Sequence, residues 1–184
     1  MPDPVIEGYA IVSEDGMLAD AAGVMPQGLV FEADQRFFER GLGAADLVVH
    51  GRHSREQQAR SAERRRLILT RRGPGLEQTS SEPQVFAWNP AALAFEDALE
   101  AFTAPVTRVG VIGGTDVFGL FLDRYDVFYL TRAPGVRLPG GRPVFPEVPA
   151  LTPEEVLARH GMVAREREVL DAGKGVEVVA WRRE

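Results

Sequence analysis

Residues 108–122 read RVGVIGGTDVFGLFL, and this stretch decides the fold class. Arg108–Ile112 has the continuous apolar character of a strand that is buried on both faces. Gly113 and Gly114 end that strand, and Thr115–Leu122 is predicted to be a short helix. A buried strand that turns directly into a helix is typical of a parallel α/β sheet.

The Gly113–Gly114 turn is also a candidate binding site. Glycines let a ligand come close to the backbone, and the start of a helix favours a phosphate. The segment lacks the third spaced glycine of the dinucleotide fingerprint and the lysine of a P-loop, so neither standard motif applies. A plain strand-to-helix turn therefore remains the alternative.

The same alternation continues on both sides of this stretch. The other predicted strands are Val5–Val12, Leu47–His50, Leu67–Thr70, Val85–Trp88 and Val127–Thr131. The other predicted helices are Ala33–Leu42 and the stretch from Asn89 to about Phe102. Val163–Leu170 and Val176–Trp181 predict a terminal antiparallel hairpin. We therefore predict one α/β domain over residues 1–184, with a mostly parallel central sheet flanked by helices on both faces and a C-terminal antiparallel hairpin.

Two connecting stretches have a less regular pattern. Met17–Leu29 is rich in alanine and glycine without a clear period, and we predict a mobile loop there. Arg52–Glu63 is charged and has helical propensity throughout.

Composition excludes several classes of protein. The chain has 184 residues, no cysteine and a formal net charge of −6, which argues against disulfides, thiol catalysis and a general nucleic-acid surface. No segment has the roughly 18 uninterrupted apolar residues of a membrane helix, and no secretory signal is visible. The three histidines are too scattered for a metal site. We expect a cytoplasmic protein without a metal, a nucleic acid or a membrane as partner.

Basic side chains cluster locally in this acidic chain. Arg64, Arg65, Arg66, Arg71 and Arg72 lie within nine residues. They form either a solvated face or a site for a phosphate or carboxylate, which guanidinium groups bind with paired donors.

A second polar segment, Gly51–Arg52–His53–Ser54, follows a predicted strand, and Thr70–Arg71 follows the next one. The ends of adjacent parallel strands lie side by side, at the edge of the sheet where ligands bind. These side chains would suit a phosphomonoester such as the ribose phosphate of NADPH.

One acid is predicted to lie in apolar surroundings. Phe31, Asp34 and Phe38 are spaced so that they share one helix face. Asp34 either stabilises the start of its helix from the rim or serves as a partly buried acid with a raised pKa. Such an acid could bind a cationic or amidine-like ligand or direct a proton.

In this order, the segments resemble dihydrofolate reductase over nearly the whole chain. The stretch from Phe31 to Phe38 resembles that family's first helix, in which an acid and a phenylalanine four residues later line the pterin pocket. Gly51–Ser54 and Leu67–Arg71 resemble the segments that contact the cofactor phosphates. Val111–Phe118 is similar to the family's Gly-Gly turn, which has a cis peptide beside the nicotinamide. Tyr129–Leu130–Thr131 resembles the strand whose threonine hydroxyl partners the helix acid.

The resemblance implies reduction of a C=N bond in a 7,8-dihydropterin by hydride from NADPH. Asp34 and Thr131 would be the catalytic pair. The implied substrate contacts are Ala10, Asp34, Gln35, Phe38, Arg64, Ile112 and Thr131. The implied NADPH contacts are Ala10, Met25, Gly51, Arg52, His53, Ser54, Thr70, Arg71, Gly113, Gly114, Thr115, Asp116, Val117 and Phe118.

The chain departs from the family pattern at several positions. Gln27 stands where the family usually has tryptophan, and Gln35 follows the acid where an apolar residue is common. Residues 55–61 are polar where the family lines its aminobenzoyl pocket with aliphatic side chains. Arg64 aligns with the arginine that binds the glutamate tail of folate, although two neighbouring arginines make this register ambiguous. We therefore expect the part of the binding site that contacts the pterin ring to be kept and the part that contacts the tail of the substrate to be altered.

Three functions stay open. The substrate could be dihydrofolate or a dihydropterin with another tail, such as dihydromethanopterin in one-carbon metabolism. The alternative enzyme is the NADPH-dependent pyrimidine reductase of riboflavin biosynthesis, which Ser13–Gly16 favours weakly and Asp34 disfavours. A non-catalytic nucleotide-binding domain is the third possibility, and the sequence leaves the oligomeric state open.

Overall fold

A nine-stranded sheet organises the computed structural model, which describes residues 3–54 and 60–183. The strands are β1 Val5–Val12, β2 Met17–Ala19, β3 Leu47–Gly51, β4 Arg66–Leu69, β5 Leu76–Ser81, β6 Gln84–Trp88, β7 Arg108–Val111, β8 Val127–Arg132, β9 Arg142–Pro143, β10 Met162–Asp171 and β11 Val176–Arg183. The order across the large sheet is β10-β11-β8-β1-β7-β3-β4-β6-β5, and β2 pairs with β9 in a separate two-stranded sheet.

The six central strands, from β8 to β6, are parallel. The outer strands β5, β11 and β10 are antiparallel to their neighbours, and β10 with β11 forms the terminal hairpin. The helices are α1 Glu32–Ala44, α2 Phe95–Leu99, α3 Thr115–Leu120 and α4 Pro153–Arg159. The predicted fold class, a mostly parallel α/β sheet with a C-terminal hairpin, is confirmed.

The two faces of the sheet are packed differently. On one face, aromatic rings from α2 and α3 pack on the strands, with Trp88 against Phe95 and Phe118 against Phe128. On the other face, α1 lies over β1 and β8, and Tyr9 contacts Phe37 and Tyr129. Since side chains alternate along a strand, neighbouring residues of β1 serve the two layers in turn.

The loop predicted at Met17–Leu29 is ordered at both of its ends, so that prediction is wrong there. Met17–Ala19 forms β2, and Gln27–Leu29 forms a 3₁₀ turn. The Ser13 hydroxyl accepts a hydrogen bond from the Met17 backbone N–H, and Asp15 accepts one from the Leu138 N–H. These contacts hold β2 beside β9. Leu138 and β9 are remote from Met17–Leu29 in the sequence, so the local pattern of this stretch could not reveal the pairing.

The helix predicted from Asn89 is also wrong in its first half, because α2 begins only at Phe95. Asn89 instead caps a single turn, in which its side chain accepts a hydrogen bond from the Ala91 N–H. The Leu93 carbonyl, which precedes α2, accepts a hydrogen bond from the Trp88 indole N–H.

Three further elements were not predicted: β5, α4 and the short strand β9. Strand β5 has the polar sequence LEQTSS at the edge of the sheet and therefore lacks an apolar pattern. Helix α4 begins with a capping box between Thr152 and Glu155, followed by Pro153 in the first turn. In the charged stretch predicted to be helical, Ser61–Glu63 is a 3₁₀ turn, and residues 55–59 lie outside the described residues. No described helix is long and apolar enough to cross a membrane.

Candidate active site

The predicted site residues converge on the edge of the sheet where the parallel strands end. Thr131 lies near the end of β8, Gly51 ends β3, and Thr70 follows β4. The Gly113–Gly114 turn follows β7, and the first turn of α1 brings Asp34 to the same edge. In open α/β sheets, this carboxyl edge is where ligands bind.

Asp34 and Thr131 form the acidic centre of this edge. Thr131 is only 2% exposed, and its hydroxyl hydrogen-bonds the half-buried carboxylate of Asp34. Burial raises the pKa of Asp34 to about 6, although the hydrogen bond from Thr131 favours the charged form and opposes the rise. This carboxyl group can therefore hold or release a proton near neutral pH.

Aromatic rings pack α1 on the sheet. Tyr9 stacks on Tyr129 with ring centroids 5.0 Å apart, and Phe38 meets Tyr9 edge-on at 6.0 Å. Gly41 lets α1 approach closely, because a Cβ atom there would lie 2.5 Å from the Tyr9 ring. These rings therefore fix α1 on the sheet.

The glycine turn presents bare backbone next to β3. The Gly51 N–H donates a 2.7 Å hydrogen bond to the Gly113 carbonyl, and the Gly113–Gly114 peptide is cis. Gly113 has φ +98°, and a Cβ atom on it would lie 2.7 Å from the Phe118 ring. A Cβ atom on Gly114 would lie 3.5 Å from the Ser54 hydroxyl oxygen. Gly51, Ser54 and the turn thus form one continuous surface without bulky side chains.

Charged side chains surround this surface. Arg52 and His53 are exposed, and Arg71 forms an ion pair with Asp116. The Thr115 hydroxyl donates a hydrogen bond to the Pro143 carbonyl, which links the Gly113–Gly114 turn to β9.

The remaining predicted contacts are dispersed. Ala10 and Ile112 are half-buried near this edge, Gln35 is exposed on α1, and Met25 is 47% exposed in the loop before α1. Val117 and Phe118 are only 1% exposed, so they belong to the core under the turn.

Arg64 contributes to a groove beside α1. It precedes β4 and lines a groove of about 560 Å³ on the outer side of α1, together with Arg36, Arg40 and Glu168. Burial and the nearby charge of Arg66 lower the pKa of Arg64. The contact of Arg64 with a substrate tail stays a prediction.

Sequence reasoning missed a buried charge beneath α1. Glu7 is 4% exposed, and its carboxylate accepts hydrogen bonds from the Tyr9 hydroxyl at 2.8 Å and from the Arg108 guanidinium at 2.9 Å. A single acid within the apolar strand sequence VIEGYAIV was the available signal.

A second missed contact supports the end of β8. Arg132 directly follows Thr131 and forms a two-pronged ion pair with Glu154, with N–O distances of 2.6–2.9 Å. It also donates a 2.9 Å hydrogen bond to the Glu14 carbonyl, which ties β8 to the turn after β1.

No protein-family model and no curated protein sequence matches the chain. Its structure is similar to that of a riboflavin biosynthesis protein from Shewanella sp. PV-4, with a TM-score of 0.66, 19% identity, and coverage of 98% of this chain and 99% of that one. It is also similar to dihydrofolate reductase from Enterococcus faecalis in complex with NADP(H), with a TM-score of 0.64, 16% identity, and coverage of 98% and 96%.

A third similar structure is the diaminohydroxyphosphoribosylaminopyrimidine deaminase/5-amino-6-(5-phosphoribosylamino)uracil reductase from Thermotoga maritima. The TM-score is 0.66 at 17% identity, and the match covers 98% of this chain but 57% of that bifunctional protein. The predicted resemblance to dihydrofolate reductase is therefore confirmed at the level of the fold, which these riboflavin-pathway proteins share.

Proposed function

We propose that this chain, which has the fold of the dihydrofolate reductases, is an NADP(H)-dependent reductase that converts a 7,8-dihydropterin to its tetrahydro form. The observation that carries the proposal is the contact of Asp34 with Thr131 at the carboxyl edge of the sheet. An acid with a pKa near 6 is suited to proton transfer at neutral pH. We place it beside the glycine surface that would take the cofactor.

The residues at this edge fit a dinucleotide. Gly51, Gly113 and Gly114 present backbone that a flat ring or a phosphate can approach closely, and the Ser54 hydroxyl lies beside them. Arg52 and Arg71 supply cations at the same edge. When bound, the cofactor would supply a hydride to the C=N carbon of the substrate. The cofactor of the similar Enterococcus faecalis structure, NADP(H), supports this proposal.

Asp34 has two tasks in this proposal. Its carboxylate accepts hydrogen bonds from the amidine-like edge of the pterin, which orients the ring. Its protonated form favours protonation of the nitrogen that is being reduced. Thr131 holds the carboxyl group in place, and Phe38 packs on the substrate ring beside Tyr9.

The loop between β2 and α1 completes the site. Val24 and Met25 are exposed apolar residues in this loop, and Asp20 accepts backbone hydrogen bonds from Ala22 and Val24 at its base. We infer that the loop closes over the reacting rings and excludes water, which strengthens the electrostatic interactions inside.

A second candidate is the pyrimidine reductase of riboflavin biosynthesis. It is favoured by the similarity to the Shewanella and Thermotoga maritima proteins, whose names refer to that pathway. The two candidates differ in their use of Asp34, since a pyrimidine reductase of this fold lacks the helix acid. Both substrates and the cofactor are small water-soluble molecules, and we place the activity in the cytoplasm.

Steady-state oxidation of NADPH tests both candidates. Dihydrofolate, dihydromethanopterin and the ribosylaminopyrimidine are offered separately to the wild type, to Asp34→Asn, and to Asp97→Asn. Asp97 is the matched control, an exposed acid in the first turn of α2. We expect turnover of a dihydropterin that Asp34→Asn lowers at least 100-fold and Asp97→Asn leaves unchanged, because general acid–base catalysis contributes roughly that much.

Turnover of the pyrimidine alone, unaffected by Asp34→Asn, would instead establish the second candidate. Binding of NADPH without turnover of any of the three substrates would contradict both candidates and favour a nucleotide-binding domain without catalysis.

A further inference from the structure

The ion pair of Arg71 with Asp116 bridges two loops at the carboxyl edge. Arg71 follows β4, and Asp116 lies in the first turn of α3 after β7. Strand β3 lies between β4 and β7 in the sheet, so the pair spans the end of β3 at Gly51. The two side chains are 81% and 59% exposed, so a ligand on this surface can reach both of them.

The two groups have opposite preferences for a nucleotide. A guanidinium binds a phosphate with strong, charge-assisted hydrogen bonds. A carboxylate at the adenosine end of a dinucleotide site accepts hydrogen bonds from the ribose 2′-hydroxyl, and it repels a phosphate at the same position. Because the Arg71 guanidinium and the Asp116 carboxylate are in contact, the site has one group that favours a 2′-phosphorylated ribose and one that favours an unphosphorylated ribose.

We propose that Asp116 determines how strongly this chain prefers the 2′-phosphorylated dinucleotide over the unphosphorylated one. The inference rests on the proposed function, because it requires that the adenosine end of a dinucleotide lies at this edge. A 2′-phosphate must replace Asp116 as the partner of Arg71 and then lie next to its carboxylate. An unphosphorylated ribose leaves the ion pair intact and gains Asp116 as a hydrogen-bond acceptor.

The wild type is therefore expected to discriminate only weakly between the two cofactors. Removing the charge of Asp116 leaves Arg71 free for the phosphate, so it should create a strong preference for the phosphorylated form. Exposed ion pairs contribute little to the stability of a fold, so this change should leave the protein folded.

Binding of 2′,5′-ADP and 5′-AMP, measured by isothermal titration calorimetry, isolates this effect. The two nucleotides differ only in the 2′-phosphate, and both lack the nicotinamide. The variants are Asp116→Asn, Arg71→Ala and the double variant. Glu96→Gln is the matched control, because Glu96 forms another exposed ion pair, with Arg124 on the surface around α2.

We expect Asp116→Asn to tighten binding of 2′,5′-ADP relative to 5′-AMP by about tenfold, as the removal of a like charge beside a phosphate should. Arg71→Ala leaves the Asp116 carboxylate unopposed, so this variant should bind 5′-AMP more tightly than 2′,5′-ADP. The double variant has neither charge and should bind the two nucleotides with similar affinity. Glu96→Gln should bind both nucleotides as the wild type does.

A ratio of affinities that stays within twofold of the wild type in Asp116→Asn would overturn the inference. If the wild type binds neither nucleotide, both this inference and the proposed cofactor site are wrong. If the ratio shifts as expected but no substrate is turned over, only the proposed reaction is contradicted.

Discussion

The hydroxyl of Thr131 hydrogen-bonds the carboxylate of Asp34, and this contact joins the end of β8 to the first turn of α1. Two opposing effects act on the pKa of Asp34. Burial disfavours the charge of Asp34, whereas the hydrogen bond stabilises it. The balance between them decides the pH range in which the acid can deliver a proton.

The first prediction concerns the pH dependence of turnover. Because the pKa of Asp34 is about 6, its protonated form is lost as the pH rises through that value. The turnover number with a dihydropterin should therefore fall from about pH 6 upwards, measured at saturating cofactor. Asp34→Asn should have low activity without this transition, and an unchanged transition in that variant would assign it to another group.

The second prediction concerns the free energy of unfolding. The pKa of Asp34 rises from 3.8 to about 6 on folding, so the folded state loses stability as the pH rises between these values. Asp34→Asn removes that cost and should stabilise the protein at pH 8 by up to ~2 kcal/mol, a figure that allows for the partial exposure of the carboxylate. At pH 3.5 the variant should have nearly the stability of the wild type. Urea unfolding at the two pH values measures the difference, and equal effects at both would contradict the linkage.

The third prediction treats Thr131 as a positioning residue. Thr131→Val keeps the shape of this buried side chain but removes the hydroxyl that stabilises the Asp34 charge. The pKa seen in the pH–rate profile should rise by about one unit, since a hydrogen bond to a charged group contributes roughly 1.5 kcal/mol. Thr131→Ser retains the hydroxyl and should restore the profile of the wild type. A loss of turnover in Thr131→Val without a shifted profile would reduce its role to packing.

The fourth prediction compares the two glycines of the turn. Gly113→Ala forces a Cβ atom to within 2.7 Å of Phe118 at a φ of +98°, so it should destabilise the fold by about 1–3 kcal/mol. Gly114→Ala meets only the Ser54 hydroxyl, at an ordinary contact distance of 3.5 Å. It should cost less than ~1 kcal/mol in urea unfolding, yet weaken NADPH binding measured by calorimetry. Equal stability of the two variants would show that Phe118 can move aside.

The positions of the parallel strands along the chain could be predicted from the sequence because their signals are local. Buried strands such as Arg108–Val111 are nearly continuous runs of apolar residues, and a glycine or a polar cluster ends each of them. The hairpin of β10 and β11 was equally visible from its turn. Edge strand β5 was not, because five of its six residues are polar and most of them are exposed.

The candidate site could be predicted only in part. Asp34 was found from its helical spacing with Phe31 and Phe38, which is a local property. The ion pair between Arg71 and Asp116 joins loops on either side of β3, so the order of strands must be known before the contact can be inferred. The same holds for Glu7 and Arg108, which meet only because β1 pairs with β7.

Asp34 and Thr131 come from opposite halves of the chain, and the strand that carries Thr131 lies between β1 and the C-terminal strand β11. A nascent polypeptide that has not yet supplied β8 lacks the hydroxyl that positions the carboxyl group, and it also lacks Tyr129, against which Phe37 of α1 packs. Turnover should consequently recover, after dilution from urea, only when the sheet is complete. A change in tyrosine or tryptophan fluorescence that precedes this recovery would indicate a compact but inactive intermediate.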